Sequence, residues 1–402
     1  MSVASRPVLL VLASTYPRWP GDPEPGFVHE LSRRLTDRFR VIALCPHAPG
    51  ARTAERMDGV EVVRYRYAPR RWETLVNDGG IVTNLKRHRW KWLLVPGFVL
   101  MQAWRAWRLC RSERVDVVHA HWLIPQGLIA AMLGRMSGRP LPFVVTSHGA
   151  DLYALRGRPL QAVKRWVLRQ AAAVTVVSRA MTGELARLGV AAGRVEVLPM
   201  GVDMTARFRP DDSVGRQPDE LLFVGRLVEK KGLRHLLDAL PGVLRERPGV
   251  RLTVAGFGPE EPALRAQAGR LGLDGVVRFL GAVPQSELPG LYRRAGLLVA
   301  PFVEAESGDQ EGLGLVMVEA LACGCPVLAG DVPAVRDVLE SDAWIVDARD
   351  PRRLAERIVA VLGMPESERQ ARVQALRDAA LARFDWSATG RRYGELLERV
   401  GG

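Results

Sequence analysis

Along most of this chain of 402 residues, short apolar runs alternate with amphipathic stretches. That alternation restricts the fold more than any other feature. A parallel strand pair needs a crossover long enough to hold a helix, so strands alternating with helices mean a parallel sheet. Strands are expected at 8–14, 40–45, 60–66, 116–121, 143–148, 173–178 and 195–199, with helices at 28–37, 98–111, 127–136, 160–171 and 179–188. A polar, proline-containing tract from Arg207 to Asp219 then reads as a linker. Beyond it the pattern resumes, with strands at 221–224, 251–255, 276–280, 296–300, 326–329 and 343–346. The helices expected among them are 232–246, 260–271, 286–294, 314–323, 333–340 and 351–362, before a helical tail. The fold class is therefore α/β, with two parallel-sheet domains. The length agrees, at ~150 residues per domain. The 48% share of hydrophobic residues argues against disorder.

The stretch EGLGLVMVEALACGCPVLAG, residues 311–330, carries the chemistry. Glu311 and Glu319 stand on either side of a glycine-opened helix start formed by Gly312, Gly314 and Leu315. The first N–H groups of such a helix can face a ligand, and the helix dipole favours an anion there. Carboxylates repel phosphates, so both kinds of group suit a ligand with phosphates and hydroxyls together. A nucleotide-sugar is such a ligand. Upstream, LLFVGRLVEKKGLRHLLDAL (221–240) places Arg226 just past a strand end and Lys231 before an amphipathic helix. In an open parallel sheet that is where ligands bind. Two cations plus helix N–H groups can neutralise a diphosphate without a metal. The sequence has no Asp-x-Asp pair for a magnesium–diphosphate clamp.

GRLVEKKG (225–232), VAGFGP (254–259) and the Glu-x7-Glu element together resemble the retaining glycosyltransferases of family 4, which have the GT-B fold. TYPRWPGDPEPGFVHEL (15–31), HAHWLIPQG (119–127), SHGADLY (147–153) and PMGVDM (199–204) also fall in the family's order, so the likeness covers nearly the whole chain. It implies two Rossmann-like domains facing each other across a cleft: an acceptor domain at 1–205, a nucleotide-sugar domain at 206–380, and a final segment, 381–402, returning to the first domain. It implies that Arg226 and Lys231 hold the diphosphate, that Glu311 contacts the donor sugar and that Glu319 contacts the ribose diol. It places His148 beside the reacting sugar, with Asp151 close by. Gly26 stands where the family commonly has paired glycines, but its neighbour Pro25 lacks one N–H donor. The family chemistry needs no metal and no cofactor beyond the donor, a UDP- or GDP-sugar.

The net charge of +13 is unevenly divided, because the excess cations lie in the first half. Nucleic acid is one reading, but no helix-turn-helix, zinc-finger or RNA-binding signature is present. An anionic membrane surface or a diphosphate-bearing acceptor explains the asymmetry better. Residues 85–111 sharpen this: Trp90, Trp92, Trp104 and Trp107 flank an apolar centre, with Lys86, Arg87, Arg89, Lys91, Arg105, Arg108 and Arg111 outside it. That is the pattern of an interfacial element. The apolar run is short of the ~20 residues that span a bilayer, and Pro96-Gly97 is expected to interrupt it. The alternative is an ordinary helix whose tryptophans are core.

Cys45, Cys110, Cys323 and Cys325 have neither metal nor disulfide spacing and read as buried residues of a reducing compartment. His119, His121 and His148 could be read as a metal site, but nothing in the sequence fixes their geometry. The N-terminal VLLVLA reads as a first strand rather than a signal peptide. The expected protein is a cytoplasmic, peripheral transferase acting on a lipid-linked or cell-surface glycan. Its rivals are a nucleotide-sugar epimerase or phosphorylase of the same fold, and a non-catalytic membrane-surface assembly protein.

Overall fold

The computed structural model describes residues 6–22, 26–77, 80–153, 155 and 157–402. Pro25 lies outside the described residues, as does the Lys86 side chain. The chain forms two units: residues up to Met200 together with Thr389–Gly402, and Gly201–Ala388.

The first unit carries eight strands: β1 (Val8–Leu12), β2 (Arg40–Pro46), β3 (Ala54–Met57), β4 (Val60–Tyr65), β5 (Val117–His121), β6 (Phe143–Ser147), β7 (Ala173–Val176) and β8 (Val195–Val197). Their order is β3-β4-β2-β1-β5-β6-β7-β8. Neighbours are parallel except β3 and β4, which are antiparallel. The sequence reading missed β3, because Ala54–Met57 lacks an apolar alternation. Its signal was the Asp58-Gly59 dipeptide, both residues at positive φ, as a tight hairpin demands. The helix Trp386–Gly401 packs its later turns against this unit. Tyr393, Leu396 and Leu397 are buried there, and the Tyr393 hydroxyl donates to the Leu198 carbonyl at 2.9 Å.

The second unit carries β9 (Gln217–Val224), β10 (Arg251–Ala255), β11 (Val277–Gly281), β12 (Ala295–Ala300), β13 (Val327–Gly330) and β14 (Ile345–Val346). Their order is β11-β10-β9-β12-β13-β14, all parallel. The parallel strand order reverses between β1 and β5 in the first sheet and between β9 and β12 in the second. In doubly wound sheets a ligand binds beyond the strand ends at that reversal.

Three expectations need correction. β9 starts at Gln217, inside the tract read as linker, because its polar first half pairs its backbone with β12 and β10. The helix Leu94–Ser112 runs through Pro96-Gly97 without a break. Pro96 sits in the first turn, where its missing N–H has no intrahelical partner to lose. At 333–340 the chain forms only a 3-10 turn, Pro333–Asp337. All four cysteines are free and buried, and burial pushes the Cys45 thiol up to about 12.

Candidate functional site

In the second unit the loops after β9 and β12 are fastened together. β9 ends at Val224, Gly225 and Arg226 follow, and a 3-10 turn over Glu229–Lys231 leads to Gly232. Gly232 has φ +70°, and a Cβ there would stand 1.8 Å from the Pro301 carbonyl oxygen. Only glycine lets the two loops approach so closely. The Val303 N–H donates to the Lys230 carbonyl at 3.1 Å, tying them again. The helix Leu233–Glu246 then leaves with Leu233, Leu236, Leu237 and Leu240 buried, the face its spacing predicts.

Lys231 is thereby held over the site. Its Nζ donates to Glu311 Oε2 at 2.7 Å and stands 4.7 Å from the centre of the Phe302 ring. Lys230 pairs with Asp309 at 3.1 Å. Burial works against the charge of Glu311, but Lys231 and Lys230 outweigh it and hold the carboxyl down at about 2. The other oxygen, Glu311 Oε1, accepts from the Gly314 N–H at 3.2 Å. Glu311 therefore bridges a cation and a helix start. That helix is Leu315–Ala322, entered through Gly314 at φ +81°. A Cβ on Gly314 would meet the Phe302 ring at 2.8 Å, so both conformation and space require glycine. Gly312 is buried in the approach, and Leu315, the first helical residue, is half-buried.

Glu319 points inward from the same helix and is only 7% exposed. It accepts from the Tyr292 hydroxyl at 2.8 Å. Burial pushes its carboxyl up to about 7, although Tyr292, Arg207 and Lys231 all act to lower it. Lys231 thus acts on both glutamates. Arg226 is half-buried directly after Gly225, where a Cβ would lie 3.6 Å from Lys231 Cδ. The sequence reading missed Lys230 and Tyr292. Lys230 adjoins Lys231 and could have been found; nothing in one dimension joins Tyr292 to Glu319. A cavity of about 1230 Å³ in this unit is lined by Gln217, Thr253, Asp274 and Arg278 among others. It includes none of Arg226, Lys231, Glu311 or Glu319.

The first unit places its histidines at its own reversal point. His148 follows β6 and is half-buried; its Nε2 lies 2.9 Å from His121 Nδ1 and the two rings stack. Phe27 and Trp122 rings stand 4.9 and 5.0 Å from it. Burial, with a smaller contribution from His119, holds His148 at about 3, so the imidazole is neutral. His119 bonds instead to Thr146, and Thr146 to Thr175. Among the described residues no group of three or more His, Cys, Asp or Glu is placed to hold a metal ion.

Asp151 is 3% exposed and accepts from the Leu123 N–H, the Ser147 hydroxyl and the His148 N–H. Its carboxylate thus ties together the loops after β5 and β6, beside His148. Gly26 caps the helix Phe27–Arg34 with φ −93° and only ordinary contact to Pro17. That backbone conformation is one that residues other than glycine can also adopt. His121, read in the sequence only as a possible metal ligand, instead pairs with His148, and Trp122 was missed because its contact with His148 is made across strands.

Comparisons with known proteins place this geometry in context. The family profile described as "Glycosyl transferases group 1" matches residues 206–377, and that described as "Glycosyltransferase Family 4" matches residues 27–206. Glycogen synthase of Mycobacterium tuberculosis is 30% identical over 89% of this chain and 86% of its own length. A GDP-mannose-dependent alpha-(1-6)-phosphatidylinositol monomannoside mannosyltransferase of Mycolicibacterium smegmatis is 32% identical over 72% of this chain and 78% of its own. Among solved structures, sucrose-phosphate synthase from Thermosynechococcus elongatus superposes with a TM-score of 0.78 at 21% identity, covering 98% of this chain and 99% of that one.

Proposed function

Because the chain belongs to the family 4 glycosyltransferases, sugar-transferring enzymes of GT-B fold, we propose that it moves a sugar, with retention of anomeric configuration, from a UDP- or GDP-sugar to a lipid-linked or cell-surface polysaccharide intermediate. The observation that carries this reading is the Lys231–Glu311 contact at a glycine-opened helix start. It pairs a phosphate-binding cation with a carboxylate suited to sugar hydroxyls.

The donor diphosphate lies against Arg226, Lys231 and the N–H groups of the helix at Gly314. Glu311, ionised at any neutral pH, accepts hydrogen bonds from the transferred sugar, and Glu319 accepts from the ribose diol. As the bond from the anomeric carbon to the phosphate oxygen lengthens, negative charge builds on the departing phosphate. The two cations and the helix dipole act most strongly on that developed charge, so they favour the transition state over the bound donor. The acceptor hydroxyl attacks from the same face. Its oxygen bonds to the anomeric carbon, and its proton passes to the leaving phosphate oxygen. His148, held neutral by the desolvation of its half-buried ring and by His119, offers a hydrogen bond to a sugar hydroxyl rather than a charge. No metal or further cofactor enters this scheme. The mannosyltransferase relative, with its phosphatidylinositol-based name, supports a lipid-linked acceptor, which would place the reaction at the cytoplasmic face of a membrane.

A thermal-shift screen of UDP, GDP and their sugars tests the donor site, since a ligand that prefers the folded state raises Tm. Glu311→Gln should then lower transfer by about a hundredfold or more while leaving nucleotide binding measurable. A screen in which no nucleotide shifts Tm would overturn the reading. An inverted anomer in the NMR spectrum of the product would remove retention alone.

A further inference from the structure

The tryptophan-rich segment of the first unit is not core. In the helix Leu94–Ser112 the side facing the domain buries Leu94, Phe98, Gln102, Ala106 and Leu109. The opposite stripe should be polar if it met only water. Instead, Leu93, just before the helix, is 81% exposed, Leu100 66% and Trp104 45%. The stripe turns basic only at Arg108 and Arg111, whose guanidiniums stack on Trp104 and Trp107. The preceding 3-10 turn, Arg89–Leu93, adds Trp90 and Trp92, 47% and 59% exposed.

A second segment, distant in sequence, completes the face. The turn Arg70–Trp72 presents Trp72, 44% exposed, edge-to-face with Trp90 at 6.4 Å between ring centres. Arg71 lies over the Trp72 ring, and Arg70, Arg87 and Arg89 are exposed around it. The face is rigidly mounted. Lys91 is buried beneath it, its Nζ donating to the Thr74 carbonyl at 2.8 Å and to Asn84 Oδ1 at 2.7 Å. From Ile81 to Ser112 the sequence holds seven Lys or Arg and no Asp or Glu. Among the described residues no helix is long and apolar enough to cross a membrane.

We propose that Trp72, Trp90, Trp92, Leu93, Leu100 and Trp104, ringed by arginines, form a docking face for an anionic lipid bilayer, which the chain enters from one side without spanning. Charge and shape choose this partner. Tryptophan rings seek the boundary between headgroups and acyl chains, and cations stacked on their rims meet lipid phosphates. A soluble protein partner would need its own carboxylates against these cations, which no acidic residue of 81–112 offsets. Each exposed arginine near an anionic leaflet strengthens binding roughly fivefold, and salt weakens it. The proposal extends the membrane-associated reading of the acceptor but does not depend on the donor chemistry, and it is read without any sugar transfer.

The full chain is mixed with vesicles of phosphatidylcholine alone, or of phosphatidylcholine with phosphatidylglycerol, and sedimented. Binding to the mixed vesicles should exceed binding to the neutral ones by about tenfold or more and fall as salt rises. The triple substitution Trp90→Ala, Trp92→Ala, Trp104→Ala should cut binding by a similar factor, while Tm and nucleotide-induced Tm shifts stay at the parent values because these side chains are exposed. Arg70→Glu with Arg89→Glu should abolish the preference for the anionic lipid. The proposal fails if the parent does not bind mixed vesicles, or if the triple variant binds as well as the parent. It also fails if the face instead closes a dimer that the triple substitution dissolves.

Discussion

Glu311 and Glu319, two carboxylates of one short motif, end in opposite electrostatic states. Glu311 bonds Lys231 and a helix N–H and is held near 2; Glu319 is buried against Tyr292 and is raised to about 7. The signs separate them experimentally. A carboxyl raised from 4.5 in the unfolded chain to about 7 contributes stability below its unfolded pKa and loses it as pH rises through the folded value. Glu319→Gln should therefore raise the unfolding free energy at pH 8 by on the order of 2 kcal/mol and change it little at pH 5. Denaturant titrations at both pH values check this; an equal effect at each would show that Glu319 is not held in its protonated form. The residue types at the site were legible from sequence, because the Glu-x7-Glu spacing and the strand-end cations carry their own chemical logic. Their charge states were not, because burial and the Tyr292 contact arise only from packing. Asp151 shows the same limit: its place in SHGADLY was visible, its three donors were not.

Elements came through the sequence best where side chains alone decide them. Buried central strands such as Leu9–Leu12 are apolar throughout, and the helix Leu233–Glu246 buries the leucines its period marks. Where backbone pairing or a turn decides, the reading failed: β3 is specified by its hairpin, and the polar start of β9 by its neighbours. The junction of β9 with its helix depends on one position. In Gly232→Ala the new methyl would collide with the Pro301 carbonyl, which is backbone and cannot swing aside. The loops after β9 and β12 should part, costing about 3 kcal/mol or more. Lys231 would move with them. Nucleotide-induced stabilisation should therefore be lost together with Tm, and calorimetry with and without nucleotide measures both. Retention of the nucleotide shift in a folded variant would show that the loop contact does not set the Lys231 position.

At the scale of the whole chain, a single side chain shows how much the first unit owes to the last residues. Tyr393 is fully buried, and its hydroxyl donates to the Leu198 carbonyl. Tyr393→Ala should destabilise the first unit by about 3–5 kcal/mol, whereas Tyr393→Phe, which keeps the ring, should cost only about 1 kcal/mol. Hydrogen exchange read separately over β5–β8 and β9–β14 would show whether the loss falls on the first sheet. Equal losses in the two variants would mean that the hydroxyl, not the ring, carries the contact. The order of synthesis gives this arrangement a further meaning. On the ribosome, β1–β8 emerge early, but the helix bearing Tyr393, Leu396 and Leu397 follows only after the whole second unit. At roughly 5–20 residues per second, the intervening stretch of about 190 residues takes on the order of 10–40 s to make. For that interval the nascent first sheet carries a bare apolar strip, and a chaperone able to shield it would determine how much of the newborn chain escapes aggregation.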